Sequence, residues 1–169
     1  MADRVRTIPP SSSPTPVSPE ASAGYQVRRA HRRFDRFLNA CLSRQGVKSG
    51  FWYYLRVLWI RDGVSQKYLS DMTNVAENTT ATIVNSMVED GLVTRKRDTE
   101  DRRRFSVLLT DRGRALEKKL MPYAAEINTV ATEGIAEADL ELCLSVLKRM
   151  SENLALGFDE HDKRPSEKA

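Results

Sequence analysis

The chain has 169 residues, 40% of them hydrophobic and 30% charged, with a formal net charge of +4. That is enough chain for one domain with a real core, and the mild positive charge suits a polyanionic partner without specifying one. Two cysteines far apart and without CxxC spacing argue against a disulfide framework or a zinc module. The absence of about 18 consecutive apolar residues argues against a membrane span.

Residues 1–23 hold Pro9, Pro10, Pro14, Pro16 and Pro19 among Ser, Thr and Ala. Such a segment has little to bury, so a flexible tail is expected, with a short arm against a partner subunit as the alternative. The N-terminus has no apolar core of a secretory signal, and a reducing cytoplasm is the simplest compartment. From Tyr25 the apolar residues recur every three or four positions through Val27, Phe34, Leu38 and Leu42, predicting a helix that Gly46 closes. Arg28, Arg29, Arg32, Arg33 and Arg36 fill its other face, either as a solvated surface or toward phosphate.

Residues 49–61 predict a second helix, rich in aromatics: Phe51, Trp52, Tyr53, Tyr54 and Trp59. Five aromatics exceed what one apolar stripe buries, so some are expected to line a pocket or an interface. Asp62-Gly63 breaks the helix. A short helical pattern over 65–72, a polar turn at Thr73-Asn74 and a second pattern over 77–90 then read as helix-turn-helix. On the second of these, Val84, Met87 and Val88 share a face with Ile83 beside them. Asn78, Thr79, Thr82, Asn85 and Ser86 lie largely opposite, where short polar side chains approach base edges closely. After Gly91 the period changes to that of strands, 92–97 and 105–109. Their connection, 98–104, is a charged hairpin tip with Arg102, Arg103 and Arg104, and Arg95 lies on the first strand. Arginine on a thin protrusion suits a narrow minor groove. Asp98, Glu100 and Asp101 partly neutralise the tip, and an Asp101–Arg103 pair is expected to stiffen it.

Thr110 is placed to cap a long helix carrying Leu116, Leu120, Tyr123, Ile127 and Val130, with Pro122 expected to bend it. After Gly134 a last helix carries Leu140, Cys143, Leu144, Leu147, Met150 and Leu154 to about Gly157, and residues 159–169 are expected to fray. The chain thus predicts a mostly α fold with a small β-hairpin wing: a winged helix-turn-helix over 49–110, a DNA reader, and a helical region over 24–48 and 111–158. The wide apolar faces of that region are most simply buried against a second copy.

The string Gly91-Leu92-Val93, Asp98-Thr99-Glu100-Asp101-Arg102-Arg103, Leu109-Thr110 and Gly113-Arg114 resembles the wing signature of the MarR family of bacterial transcriptional regulators. The resemblance runs from about Tyr25 to Leu156. It implies an obligate homodimer that binds a pseudo-palindromic operator and releases it on binding a small ligand. It also implies that Asn78, Thr79, Thr82, Asn85 and Ser86 face the major groove, and that Arg103 enters the minor groove with Asp101 as its partner. Gln66 and Lys67 would meet phosphate. The family often has arginines where this chain has Thr82 and Ser86, so the operator sequence does not carry over. The implied effector site involves His31, Phe34, Trp52, Tyr53 and Arg56, and aromatics with one cation suit an aromatic carboxylate. The aromatic helix also looks like that of a subgroup tied to aromatic-acid catabolism. Some members respond to oxidants, but Cys41 and Cys143 lie on apolar stripes where thiols are inert. A winged helix used for protein contacts is the second alternative, against which the arginine tip speaks. With no Gly-rich phosphate loop, metal spacing or nucleophile elbow, neither an enzyme nor a cofactor is expected.

Overall fold

In the computed structural model, residues 18–97 and 105–162 are described, side chains through residue 158. A short 3-10 turn, Pro19–Ala21, leads into α1 (Ala23–Ser43). A second 3-10 turn, Ser49–Phe51, leads into α2 (Trp52–Ile60). Then come β1 (Val64–Ser65), α3 (Gln66–Thr73), α4 (Glu77–Glu89), β2 (Val93–Arg97), β3 (Phe105–Leu109), α5 (Asp111–Thr132) and α6 (Glu137–Asp162). The mostly helical fold with a hairpin wing is as the sequence predicts, but α6 continues to Asp162, past the end expected near Gly157 and into the stretch expected to fray. Two differences are physical. Residues 49–51 form 3-10 rather than α-helix, because Phe51 N–H closes back on Lys48 O. The sheet also has a third strand: β1 pairs antiparallel with β3 through Val64↔Val107 and Ser65↔Ser106, giving the order β1-β3-β2. Two residues are too few to leave a periodic signal.

The chain divides into two compact units, Met1–Glu117 and Lys118–Ala169, with the boundary inside α5. In the first, α2 packs on α3, α3 on α4, and α4 on β2. Leu42, Leu55, Leu58, Leu69, Val84, Met87 and Val107 are fully buried there. Each contributes on the order of 1.5–3 kcal/mol of transfer free energy. The stripe of α1 is buried only in its last turns, at Leu38, Cys41 and Leu42; Tyr25, Val27 and Phe34 stay exposed. On α4 the buried stripe is Thr80, Val84 and Met87, while Val88, expected in the core, is exposed.

Unit two holds the later part of α5 and α6. α5 runs through Pro122 without ending, and its Leu120, Ala124 and Ile127 are buried, whereas Val130 is exposed. Along α6 the large apolar side chains Leu142, Leu144, Leu147, Leu154 and Phe158 are exposed. Cys143 is exposed as well, in contrast to the inert position its apolar stripe suggests, while Cys41 is buried. No helix among the described residues is long and apolar enough to cross a membrane.

Candidate nucleic-acid interface

Ser65 starts α3: its Oγ accepts the Tyr68 N–H at 3.1 Å, the N-cap bond that satisfies an otherwise orphaned donor. Asn74 stops it in the left-handed conformation at φ 53°, a position Asn tolerates better than most residues. The turn into α4 is held by buried hydroxyls. Ser70 Oγ donates to Val75 O at 2.6 Å, and Thr80 Oγ1 lies 3.4 Å from the same carbonyl. Thr80 also meets the Tyr54 hydroxyl at 3.1 Å, with both side chains buried. This bond couples α2 to α4 and escapes sequence reasoning, because a threonine beside polar neighbours looks like part of the exposed face.

With that turn fixed, Asn78, Thr79, Thr82 and Asn85 stand exposed along one side of α4. Thr82 Oγ1 donates to Asn78 O at 3.1 Å. Ser86 differs from expectation. It is half-buried and accepts a hydrogen bond from Lys48 Nζ at 3.0 Å, and the same ammonium pairs with Asp90 at 3.0 Å. Lys48, in the connection before α2, therefore ties down the C-terminal half of α4. No motif marked it, since the contact spans 38 residues of sequence.

The wing pairs β2 and β3 antiparallel, from Val93↔Leu109 to Arg97↔Phe105. Arg95 donates to Gln66 Oε1 at 3.3 Å, joining the wing to the start of α3. The Arg97 guanidinium lies over the Phe105 ring at 5.2 Å. Asp101, Arg102, Arg103 and Arg104 lie outside the described residues, so the expected Asp101–Arg103 pair does too. Between wing and helices runs an open groove of about 520 Å³, lined by Ser65, Gln66, Lys67, Ala81, Asn85, Arg95 and Phe105. Four residues picked from the sequence (Gln66, Lys67, Asn85 and Arg95) thus share one concavity, with Ala81 and Phe105 as an apolar floor that sequence reasoning missed.

The base of the wing is a knot of polar contacts. Asp62 Oδ1 accepts the N–H groups of Gly63 and Leu109, at 2.9 and 2.8 Å, and its Oδ2 pairs with Arg114. Thr110 caps α5 as expected, accepting the Gly113 N–H at 3.1 Å, and donates to Gly91 O at 2.8 Å. Trp59 Nε1 donates to Gly113 O at 3.0 Å. Of the aromatics on and before α2, Phe51, Trp52 and Tyr54 are buried, so most of that cluster is packing.

A second, smaller pocket of about 270 Å³ is lined by Trp52, Tyr53, Arg56, Val57, Ile60, Met72 and Thr73. It brings together three of the five residues implied for an effector, and the Arg56 guanidinium lies 5.5 Å from the Trp52 ring centre. His31 and Phe34, on α1, do not line it. His31 lies 3.1 Å, through its Nε2, from Asp35, the carboxylate whose charge acts on the Tyr53 phenol. Partial burial, and then the Asp35 charge, hold the Tyr53 phenol above its ordinary pKa, with Arg56 opposing. Among the described residues no group of three His, Cys, Asp or Glu side chains could hold a metal.

A model of the MarR family matches residues 45–104, a stretch that takes in α2, β1, α3, α4 and β2. The HTH-type transcriptional regulator TtmR of Methylorubrum extorquens (strain PA1) is 29% identical over 105 residues. That alignment takes in 62% of this chain and 54% of TtmR, so the chain spans about half of that relative's length. A MarR transcriptional regulator from Methanosarcina mazei Go1 superposes with a TM-score of 0.70 at 28% identity, over 77% of this chain and 94% of the other. Two further structures share the fold at lower identity. A putative MarR-family regulator from Listeria monocytogenes, complexed with 26mer DNA, gives a TM-score of 0.78 at 20% identity, over 88% and 99% of the two chains. CouR from Rhodococcus jostii RHA1, bound to p-coumaroyl-CoA, gives 0.69 at 18%, over 79% and 94%.

Proposed function

We propose that the chain is a MarR-family transcriptional regulator, acting as a homodimeric, cytoplasmic repressor whose operator is released by a small aromatic carboxylate. The observation that carries this reading is the groove between wing and α4. It sets Asn85 beside Gln66, Lys67 and Arg95, below the exposed Asn78, Thr79 and Thr82. Amide and hydroxyl side chains there suit base edges in a major groove, and the cations suit the phosphates flanking it. In this reading Arg103 enters a minor groove with Asp101 as its partner, and Arg102 and Arg104 add to the DNA contacts. Ser86 is reassigned to positioning α4, through Lys48.

Dimerisation is supported by the exposed apolar side chains of α1 and α6, Tyr25, Val27 and Phe34 on one and Leu144, Leu147 and Leu154 on the other. In water such stripes favour a second copy of the same helices. A two-fold dimer presents its two readers to successive major grooves about 34 Å apart.

The pocket beside α2 supplies the control. Trp52 and Tyr53 offer aromatic surface, and Arg56 offers a bidentate partner for a carboxylate. The α2 helix turns Tyr53 and Arg56 to the pocket and Tyr54 inward, where its hydroxyl meets Thr80 of α4. Met72 and Thr73, at the end of α3, line the same pocket. A ligand that displaces α2 therefore shifts the recognition helix, and a small change in reader spacing prevents both half-sites from being met at once. CouR, which shares this fold, holds an aromatic acyl thioester.

The test is binding of the purified protein to DNA from upstream of its own gene, at several salt concentrations, with and without a panel of aromatic acids. Saturable, site-selective binding with a steep salt slope, relieved by one acid, is the expected result. Weak binding equal on every sequence would favour a protein-contact module, and unrelieved binding would remove the aromatic effector.

A further inference from the structure

Lys67 stands second in α3, on the wall of the DNA-facing groove, where a lysine is expected to be free for phosphate. It is not free. Its ammonium lies 3.2 Å from Asp71, one turn along the same helix, and 3.5 Å from Glu77, the first residue of α4. The two carboxylates outnumber the cation, so the cluster of Lys67, Asp71 and Glu77 carries a net charge of about −1 at neutral pH. Glu77 is also well placed electrostatically. It lies in the first turn of α4, whose cap residue, Ala76, offers no side-chain acceptor, so the carboxylate faces the positive end of the helix. That is the position a DNA phosphate would otherwise favour.

We propose that Asp71 and Glu77 mask Lys67, so that its contact with a DNA phosphate forms only where the remaining contacts already hold the reader in register. The inference rests on the DNA-binding reading above and adds a source of sequence discrimination to it. Phosphate attraction is the same on every sequence, so a cation available at all times tightens nonspecific binding as much as specific binding. A cation held by its own carboxylates contributes little to a transient encounter. On the correct site, base contacts keep a phosphate beside α3 long enough to compete with the carboxylates, so the contact is made there selectively. Discrimination is a difference of affinities, and weakening the wrong complex raises it as surely as strengthening the right one.

The experiment compares wild type, Glu77→Gln, Lys67→Met and the double variant, on a noncognate duplex and on the gene's own upstream fragment, across a salt series. Glu77→Gln is expected to tighten noncognate binding about two- to fivefold, the scale of an exposed ion pair, with a smaller gain on the upstream fragment. Its noncognate salt slope should steepen by up to about one counterion. In the Lys67→Met background most of that gain should vanish. An equal gain on both DNAs, no gain, or a gain that survives without Lys67 overturns the proposal. A DNA-free readout separates this from failure of the DNA reading. Nitrogen-detected NMR of the lysine ammonium groups should find Lys67 titrating above an ordinary lysine, chiefly through its hydrogen bond to Asp71 and with Glu77 adding to it, and moving down in Glu77→Gln. An unmoved titration overturns the masking whatever the DNA experiments give.

Discussion

Gly113, in the first turn of α5, is the residue at which a single methyl group should do most damage. A Cβ built there would sit 2.2 Å from the backbone oxygen of Leu92 and 3.1 Å from Leu109 Cδ2. Helix propensity alone argues the other way, since glycine to alanine in a helix stabilises by about 1 kcal/mol. The clash decides the sign. Relief requires α5 or the start of β2 to move by roughly 1 Å, and overpacking of that kind costs about 1–3 kcal/mol or more. The oxygen that must move also accepts from the Thr110 N–H at 3.0 Å and lies 3.1 Å from Thr110 Oγ1, and the Gly113 carbonyl receives Trp59 Nε1. Weakening these bonds adds about 1 kcal/mol. Gly113→Ala should therefore destabilise by about 1–3 kcal/mol net, lowering Tm by roughly 2–12 °C for a chain of this size. Urea and thermal unfolding at fixed protein concentration measure it. Gly157→Ala, within α6 with nothing within 4 Å of its added methyl, is the control and should be neutral or stabilising. Should Gly113→Ala unfold at or above the wild-type temperature, α5 does not approach the wing base as closely as described.

Thr80→Val removes the hydroxyl that meets Tyr54 in the core, leaving a buried phenol without that partner; a loss of about 1–3 kcal/mol in denaturant unfolding is expected. Asn85→Ala should relax sequence preference more than it weakens noncognate binding, read by competition between related duplexes, and equal losses on all of them would remove Asn85 from the base-reading set. The Tyr53 phenol, held up first by burial and then by Asp35, should ionise above 10 by ultraviolet difference titration, and Asp35→Asn should lower it. Because the folded state raises this pKa, its stabilising contribution is present below the unfolded value and fades as pH rises through the folded one. An Asp35→Asn protein with an unchanged tyrosine titration would place the carboxylate elsewhere.

The parts of this molecule legible in its sequence are those with a period or a chemical cap. The stripe of α5, the Ser65 and Thr110 caps and the β2–β3 hairpin all depend on residues within a few positions of one another. The groove was legible in pieces: Gln66, Lys67, Asn85 and Arg95 could each be named, but not that they share a wall. What stayed hidden depends on distance along the chain. Lys48 meets Ser86 38 residues away, Asp62 meets Arg114 52 residues away, and Trp59 meets Gly113 54 away. Thr80 was hidden for another reason, since a satisfied threonine in a core has the composition of a surface one. The resemblance implies His31 and Phe34 for an effector site, and neither lines the pocket that side chains of α2 and α3 form.

The order of the three strands has a consequence for handling the molecule. With β3 in the centre, β2 leaves one flank of its backbone open for pairing with another chain, as β1 does on the opposite side. An open flank of sheet is a template for aggregation. β1 is only two residues long, too short to recruit a stranger, and β2 carries Arg95, Lys96 and Arg97 in a row, so that two such flanks repel. The wing's cations therefore oppose edge-to-edge pairing of two such sheets, besides any role toward nucleic acid. Variants that neutralise all three should lose solubility in low salt, and a fall in apparent DNA affinity among them needs a light-scattering control before it is read as a lost contact.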